Sequence, residues 1–312
     1  METNLVDYLS NVQLGEVQTF ENMTVIPVFV SEASEIEYIS LSQALEHGSV
    51  TITEVDQSGS VPNLKVINHS DQWVLILDGE EIIGAKQNRT LNTSILIDKN
   101  SELVIPVSCT EQGRWQYTSR EFSHSNVMMS QRARNTKSHS VHRSLQAGRG
   151  HTSDQHQVWS DIATLHREAG SSSPTHAMRD VYTAKNKELD KYLEAFERMP
   201  DQQGSLVFVN DKWMGLDVLS KADIYGQVHP QLIKSYAMEA ILGKKELGES
   251  VTKATGQALF EKVKQSKEQQ FPGVSLGKDY RYEIEDVFGS ALIFNNRVIH
   301  LAFFKNLEVQ DL

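Results

Sequence analysis

The stretch Trp73-Val-Leu-Ile-Leu-Asp-Gly-Glu-Glu-Ile-Ile-Gly-Ala-Lys-Gln-Asn-Arg89 carries most of what the sequence predicts about the fold. Its first five residues are apolar on both faces, which is typical of a central strand. Asp78-Gly79 is the kind of pair that a two-residue type I′ turn favours, so we predict that a return strand begins at Glu80. That strand becomes polar over residues 86–90. Such a change indicates that the strand has reached the edge of its sheet or lines a site.

Strand patterns lie on both sides of this hairpin. Val50–Glu54 alternates apolar and polar residues, and segments 64–68, 94–97 and 103–109 continue the β pattern. Pro106 restricts the last of these to an edge or a bulge, because proline has no backbone N–H for the ladder.

Two later segments share a hairpin pattern. Residues 204–217 and 289–304 each begin with Gly-Ser, continue with a short apolar strand, turn at an Asn-led pair and return with apolar residues. We expect these two hairpins to pair in one sheet. Helices are predicted over 154–168, 183–199 and 249–269, and a fourth from Pro230 to Gly243. The sequence therefore predicts an α+β fold of predominantly antiparallel sheets built from hairpins, with helices concentrated in the C-terminal half.

The composition is that of a globular chain. With 312 residues, 39% of them hydrophobic, it can bury a large core. We expect a β-rich region over 1–115 that carries the polar motif, a basic loop or insertion over 116–176, and an α+β region over 177–312 that packs on the first in one compact unit. Because no apolar stretch suits a membrane span or a secretory signal, we expect a cytoplasmic protein. A single cysteine, Cys109, excludes an internal disulfide and fits a reducing compartment.

Charge is unevenly distributed along the chain. The formal net charge of −11 argues against general nucleic-acid binding and against anionic membranes. From Arg114 to Arg179, however, nine Lys or Arg residues accompany four Asp or Glu residues, and seven of the eleven histidines lie there. This basic segment is a candidate site for an anionic ligand, and the low apolar content of residues 116–151 within it favours a mobile cover over the polar strand end. Its histidines lack metal-ligand spacing, so we predict neither a metal nor another cofactor.

Two long motifs carry a resemblance to a known family. They are Gly79-Glu-Glu-Ile-Ile-Gly-Ala-Lys-Gln-Asn-Arg89 and Ile105-Pro-Val-Ser-Cys-Thr-Glu-Gln-Gly-Arg-Trp115, with weaker support from Asp154-Gln-His-Gln-Val-Trp159. Over most of its length the chain resembles the ARG-and-rhodanese-phosphatase-superfamily-associated protein domain family, in which ARG denotes ADP-ribosylglycohydrolase. The family name implies neighbours that act on ADP-ribose or on phosphate and sulfur groups. The resemblance brings no established catalytic residues with it.

The polar motif supplies the candidate binding residues. Arg89 is suited to bind an anion through two hydrogen bonds from its planar guanidinium. In the pair Arg114-Trp115, the arginine is suited to hold a phosphate and the tryptophan to stack on a base. A solvated strand end and a core tryptophan are the alternative interpretations. The predicted ligand-binding residues are Lys86, Gln87, Asn88, Arg89, Arg114, Trp115, Gln157 and Trp159.

Two carboxylates are candidate general bases. Glu80 and Glu81 are adjacent in a strand and face opposite sides, so they are not an acid–base pair, although Glu80 could serve alone. Glu111 is two residues after Cys109, so in a continuing strand both side chains would lie on the same face. Glu111 would then lie at the entrance of any site on that face. Cys109 itself is either a buried core residue or a nucleophile, and the second role requires an activating neighbour.

Three functions remain open on this sequence. The preferred hypothesis is a binding protein, acting as sensor, carrier or enzyme partner, for a small anionic metabolite such as a nucleotide or a derivative of ADP-ribose or NAD. An ADP-ribose-processing enzyme is then a candidate partner. The alternatives are a hydrolase or transferase that acts on the same class of substrate, with Glu111 or Glu80 as general base, and a protein-interaction module without a small ligand. Nothing in the sequence specifies the oligomeric state.

Overall fold

A computed structural model describes residues 5–31, 35–245 and 250–305. The chain divides into two compact units. Unit 1 takes the described residues of Met1–Ile36, Glu188–Gly273 and Gly277–Leu312, and unit 2 those of Glu37–Lys187 and Val274–Leu276. The first residues of the chain thus belong with its C-terminal part, because long-range strand pairing, which no local pattern reveals, joins them.

The described residues form eighteen strands. In chain order they are β1 Val12–Leu14, β2 Gln18–Phe20, β3 Met23–Val30, β4 Tyr38–Ser40, β5 Val50–Glu54, β6 Asn63–Asn68, β7 Trp73–Ile76, β8 Glu80–Gly84, β9 Arg89–Leu91, β10 Ile95–Ile97, β11 Ser101–Cys109, β12 Phe122–Met128, β13 Gly204–Val209, β14 Lys212–Leu219, β15 Lys267–Pro272, β16 Lys278–Ile284, β17 Val287–Phe294 and β18 Arg297–Lys305.

Eight α-helices occur within the same described residues. They are α1 Leu5–Ser10, α2 Leu41–Glu46, α3 Gln131–Gln146, α4 Gln155–Ala169, α5 Met178–Ala184, α6 Asn186–Ala195, α7 Ala222–Leu242 and α8 Lys253–Val263. The predicted mixture of helices and largely antiparallel sheets is confirmed. The predicted concentration of helices in the C-terminal half is not, since α1, α2 and α3 all lie in the first half.

Unit 1 is built on one antiparallel sheet. Its strand order is β1-β3-β13-β14-β18-β17-β16-β15, with β2 paired to β3. The two similar hairpins are β13–β14 and β17–β18, and they pair as expected through β14 and β18. Both turns consist of two residues at positive φ, Asn210-Asp211 and Asn295-Asn296, as a type I′ turn requires. Apolar side chains from α1 and α8, including Leu5 and Phe260, join the same hydrophobic core as the sheet.

Helix boundaries in unit 1 differ from the sequence-based ones. Helix α7 contains Pro230 in its interior and begins eight residues before it, at Ala222. The first turns persist although an interior proline costs about 3 kcal/mol, because Ile224 and Tyr225 are fully buried and the Tyr225 hydroxyl bonds Ser205 Oγ at 2.6 Å. The helix predicted over 249–269 is α8 followed by strand β15, and residue 249 lies outside the described residues.

Unit 2 contains two sheets. The larger has the order β12-β8-β9-β11-β6-β5, and the smaller has the order β10-β7-β4. Strand β4 runs parallel to β7, whereas the other pairs are antiparallel. Pro106 lies where β11 exchanges one partner for another, since residues 101–106 pair with β6 and residues 107–109 with β9. The proline therefore interrupts no continuous ladder.

The hairpin predicted at Asp78-Gly79 is not formed. Strand β7 pairs with β10 and β4, while β8 pairs with β12 and β9, so the two strands belong to different sheets. Gly79 has a φ of 87°, but Asp78 is not at positive φ, which excludes a type I′ turn. Side chains from elsewhere hold this turn: Ser94 Oγ accepts from the Asp78 amide at 3.0 Å, and Lys137 pairs with the Asp78 carboxylate.

The basic segment 116–176, expected to be a loop or insertion, contains strand β12 and helices α3 and α4. Helix α3 lacks an apolar stripe because its buried face is itself polar and includes Arg134, Asn135 and Lys137. Periodicity detects a helix through an apolar face, so it does not reveal this one. Arg134 also requires a glycine at position 79, where an added Cβ would lie 2.9 Å from the Arg134 side chain.

None of the helices in the described ranges combines the length and the apolar character needed to cross a membrane.

Candidate functional site

Unit 2 buries many polar side chains of the chain segment that runs from the end of β7 to the start of β10, and we call them the polar layer. A buried polar or charged group is stable only when its partners replace the water it loses. The location of those partners therefore decides which residues remain for a ligand. The buried polar residues of this stretch are Asp78, Glu80, Glu81, Lys86, Gln87, Asn88, Arg89, Thr90, Asn92, Thr93 and Ser94.

Arg89, the principal predicted anion binder, is fully buried. Its Nη1 donates to Gln87 Oε1 at 3.3 Å, and its Nη2 lies 3.6 Å from Glu54 Oε1. Burial lowers the pKa of the Arg89 guanidinium, against the opposing effects of Cys109 and Glu54. Two of its nitrogens, Nε and Nη2, have no hydrogen-bond partner in the described part of the chain. Arg89 and Gln87 are thus both buried, with Arg89 paired to Glu54 and bonded to Gln87.

Arg114 is the centre of a dense hydrogen-bond network. Its Nε and Nη2 donate to Glu111 Oε2 at 2.9 and 2.6 Å. Further bonds reach the Ala85 carbonyl at 2.7 Å and Asn88 Oδ1 at 3.1 Å. Although burial alone would raise the pKa of Glu111, the bonds from Arg114 and Thr175 and the Arg114 charge lower it. The network occupies Arg114, Asn88 and Glu111 with one another.

Lys86 and Trp115 lie together at the edge of the polar layer. Lys86 Nζ donates to the carbonyls of Gln57 and Ser58 at 2.8 and 2.5 Å. The same ammonium lies 5.2 Å from the ring centres of both Trp115 and Tyr117, a cation–π distance. Trp115 and Tyr117 are 46% and 51% exposed, so each ring has a face in contact with solvent. Trp115 is thus not the core residue of the alternative interpretation.

Glu80 and Glu81 are both enclosed. Glu80 Oε2 accepts from the Leu77 amide at 2.6 Å, and Oε1 lies 3.2 Å from His124 Nε2, so this carboxylate joins two backbone segments. Glu81 Oε1 accepts from Thr110 Oγ1 at 2.6 Å. Burial raises the pKa of Glu81 to about 7. Glu81 has a pKa suited to a general base, yet its side chain is completely buried and out of reach of a substrate.

Gln157 and Trp159 lie on helix α4. Gln157 Nε2 donates to Asp161 Oδ1 at 2.9 Å, a bond between successive turns of the helix. Trp159 is half-buried and packs edge-on against His156, with ring centres 5.8 Å apart. The helix reaches strand β11 through Gln155, which exchanges two hydrogen bonds with the Cys109 backbone. The assignment of Gln157 and Trp159 to ligand binding stays a prediction.

Cys109 is completely buried at the end of β11. Burial raises the pKa of its thiol to about 11, although the Arg89 charge acts in the opposite direction. At neutral pH the sulfur is therefore a protonated thiol, whereas a nucleophilic cysteine must be a thiolate. The structure supports the buried core role.

We expect Cys109→Ser to lower the free energy of unfolding by about 1 kcal/mol or more, because a more strongly polar hydroxyl would replace a weakly polar thiol at a completely buried position. Urea denaturation measures the loss. Cys109→Ala is the matched control, since it removes the sulfur without adding a polar group. Unchanged stability, together with rapid labelling of native Cys109 by a thiol reagent, would contradict the core role.

An open cleft of about 670 Å³ lies beside the polar layer. The end of β5, the loop that follows β5 and the loop that precedes β12 form it, and it adjoins the Lys86–Tyr117 contact and the Glu54–Arg89 pair. Its volume is within the range of small-molecule sites. The lining residues are Thr53, Glu54, Asp56, Gln57, Tyr117, Thr118, Ser119 and Arg120. Sequence reasoning missed Glu54, Tyr117 and Arg120, although the spacing Trp115-x-Tyr117-x-x-Arg120 joins aromatic and basic residues in one short loop.

Electrostatically the cleft is mixed. Arg120 is exposed and brings a positive charge, whereas Glu54 and Asp56 bring carboxylates. Glu54 Oε2 is buried without a hydrogen-bond partner among the described residues, so one carboxylate oxygen in the cleft wall accepts no hydrogen bond from them. Across residues 5–31, 35–245 and 250–305, no three His, Cys, Asp or Glu side chains lie close enough to share a metal ion.

Comparison with known families identifies the chain. Residues 11–304 match the model of the ARG and Rhodanese-Phosphatase-superfamily-associated Protein domain family. The chain belongs to this family, which agrees with the resemblance carried by the motifs at 79–89 and 105–115. No match was found among curated proteins or among solved structures.

Proposed function

We propose that the protein is a cytoplasmic binding protein for a small anionic metabolite of the nucleotide class, with a derivative of ADP-ribose or NAD as the preferred ligand. The observation that carries the proposal is the cleft beside Tyr117, in which an exposed aromatic ring, a guanidinium and two carboxylates lie together. A nucleotide presents a flat base, a phosphate and a ribose diol. Each of these has a suitable counterpart in the cleft.

The base would stack on Tyr117. An exposed aromatic ring binds any base through its π face, and the Lys86 ammonium already lies near this ring. Arg120 would take the phosphate through charge-assisted hydrogen bonds. Asp56, which is exposed, would accept from the ribose hydroxyls, as acidic residues do in other nucleotide sites. The predicted residues Lys86 and Trp115 would thus border the ligand.

Arg89 and Arg114 have a different place in this proposal. Their guanidinium groups are engaged by Glu54 and by Glu111, so they would support the cleft rather than grip the phosphate. The hydrolase alternative, with Glu111 or Glu80 as base, would require those carboxylates to leave their internal partners. We therefore favour binding over turnover.

The family relationship supports a role beside an enzyme. Its name refers to ADP-ribosylglycohydrolase and to rhodanese-phosphatase proteins. A sensor or carrier of ADP-ribose-type ligands would fit that association, with an ADP-ribose-processing enzyme as its partner. Incubation of the purified protein with NAD, ADP-ribose and cyclic ADP-ribose, followed by mass spectrometry and thermal shift, separates the hypotheses. Turnover indicates an enzyme, stabilisation without turnover a binding protein, and neither an interaction module.

The cleft variants Tyr117→Ala and Arg120→Ala should each weaken ADP-ribose binding about tenfold, because each removes a stacking contact or a charged hydrogen bond. Isothermal titration calorimetry measures the affinity. Both side chains are exposed, so the melting temperature of the free protein should stay close to that of the wild type.

Two controls sharpen this test. Tyr117→Phe retains the ring and should retain the affinity, and Arg167→Ala removes an exposed arginine of α4 that is not part of the cleft. If ADP-ribose binds equally well to Tyr117→Ala, Arg120→Ala and Arg167→Ala, the cleft is not the binding site.

A further inference from the structure

A second pocket, separate from the Tyr117 cleft, lies where the end of α3 meets the start of α4. It has a volume of about 510 Å³. Every residue that lines it is polar: Ser140, Arg143, Ser144, Arg149, Thr152, Ser153 and Asp154. Among the described residues no aromatic or aliphatic side chain lines it, so its chemistry suits a small hydrophilic ligand rather than a base or a lipid.

One side chain of this pocket has an unused hydrogen-bonding group. Ser144 is 4% exposed, and its Oγ is buried without a hydrogen-bond partner among the described residues. A buried hydroxyl normally finds a partner, because an unsatisfied one costs free energy. Ser144 lines the pocket, so a ligand there is the partner that would complete it.

The charges around the pocket favour an anion. Arg143 and Arg149 bring two guanidinium groups to its rim. Asp154, the one carboxylate among the described lining residues, accepts from the amides of His156 and Gln157 as the cap of α4. Planar guanidinium groups with nearby hydroxyls are the usual partners of phosphate oxygens.

The walls of the pocket are held by the fold. The Asp154 amide donates to Ser140 Oγ at 3.1 Å, and the Arg149 amide donates to the Ser144 carbonyl at 2.9 Å. Asn92 Nδ2 donates to the His151 carbonyl at 3.0 Å, which ties the connecting loop to the buried polar layer. A site that is shaped before binding loses little entropy when the ligand arrives.

We propose that this pocket binds the phosphate group of a small polyhydroxylated metabolite, such as a sugar phosphate. Arg143 and Arg149 bind the phosphate oxygens, and Ser144 Oγ donates a further hydrogen bond. The volume exceeds that of a phosphate ion, and the remaining hydroxyls and Asp154 accommodate a polyol. The inference rests on different residues from the nucleotide cleft and stands independently of it.

Ribose 5-phosphate is the probe for this pocket, with ribose as its uncharged counterpart. By isothermal titration calorimetry at low salt, ribose 5-phosphate should bind and ribose should not. Arg143→Ala and Arg149→Ala should each weaken binding about tenfold, the effect of losing one charged hydrogen bond. Raised salt should weaken binding further, since both contacts are charged and near the surface.

Ser144→Ala provides a separate readout. Because its hydroxyl is buried and has no partner in the described part of the free protein, the substitution should raise the urea midpoint or leave it unchanged, while it weakens ribose 5-phosphate binding severalfold. Arg167→Ala and the cleft variant Tyr117→Ala are the controls, and both should retain wild-type affinity for ribose 5-phosphate. Absence of binding at millimolar ribose 5-phosphate would overturn the proposal. So would binding that Tyr117→Ala abolishes and both pocket-arginine variants leave intact.

Discussion

Replacing Arg114 by alanine should lower the free energy of unfolding by about 3–5 kcal/mol, the usual cost of removing one partner of a buried ion pair. The Arg114 and Glu111 side chains are only 9% and 7% exposed, so their interaction is little screened by solvent. Without Arg114, the Glu111 carboxylate would keep the Asn88 amide at 3.2 Å and the Thr175 side chain, and it would have lost its cationic partner. The carbonyls of Gly84, Ala85 and Gln116 would lose a donor as well.

Urea denaturation followed by tryptophan fluorescence measures this loss, because Trp73, Trp115 and Trp159 all lie in unit 2. Arg114→Lys keeps the charge but cannot reproduce the fork of hydrogen bonds, so an intermediate loss is expected. A residue that served only to bind ligand would show the opposite pattern, with unchanged stability of the free protein and lost affinity.

A double-mutant cycle separates the charge from the rest of the network. Combining Arg114→Ala with Glu111→Gln removes the carboxylate that Arg114→Ala alone leaves without a cation. The double variant should therefore lose less free energy of unfolding than the sum of the two single-variant losses. Strict additivity would show that the two side chains do not interact, and Arg114 would then have to be reconsidered as a surface residue available to ligand.

Short-range signals in this sequence predict their structures well. The hairpin turns at Asn210-Asp211 and Asn295-Asn296 adopt the expected positive φ because their conformation depends on the two turn residues alone. Strand β5 has the predicted bounds, since its alternation reflects one buried and one more accessible face. These features need no knowledge of distant residues.

Asp78-Gly79 shows where that reasoning ends. It carries the same local turn signal, but its conformation is decided by Lys137, 59 residues further along the chain, and by Ser94. A type I′ turn that broke this pair would leave a buried charge without its partner, which costs more than a preference between turn types. Local sequence patterns indicate the preferred turn type, but they do not indicate where a cation distant in sequence, such as Lys137, lies in the fold.

The sequence predicts the polar strand end to be either a ligand site or a solvated edge, and the structure gives a third arrangement. Residues 86–90 are buried against polar groups of the protein itself, such as Glu54 for Arg89. A buried polar layer has the composition of a surface, so neither hydropathy nor periodicity distinguishes the two. The exposed residues that we propose for a ligand, Tyr117 and Arg120, share a short sequence motif with Trp115, but the motif does not show that they line a cleft with Asp56.

Glu81→Gln should remove a pH dependence of stability on the order of 3 kcal/mol between about pH 4.5 and pH 7, since a tenfold change in proton affinity corresponds to about 1.4 kcal/mol. Burial raises the pKa of Glu81 from the ordinary value of 4.5 to about 7, although Thr110, Ser125 and Arg179 oppose this effect. In this window the unfolded chain releases a proton that the folded protein retains. The stability from Glu81 is therefore fully present below about pH 4.5 and is lost as the pH rises through about 7.

Glutamine occupies the same volume, cannot ionise, and can accept the Thr110 hydrogen bond as the carboxyl oxygen does. Urea denaturation of both proteins at about pH 5, 6, 7 and 8 isolates the effect, because every other titrating group is common to the two. We expect the wild type to lose stability relative to Glu81→Gln as the pH rises. Glu102→Gln, at an exposed carboxylate of the same unit, should follow the wild type throughout. If wild type and Glu81→Gln instead change in parallel, Glu81 is already ionised at the lowest pH of the series, and its buried carboxylate must have a cationic partner closer than Arg179.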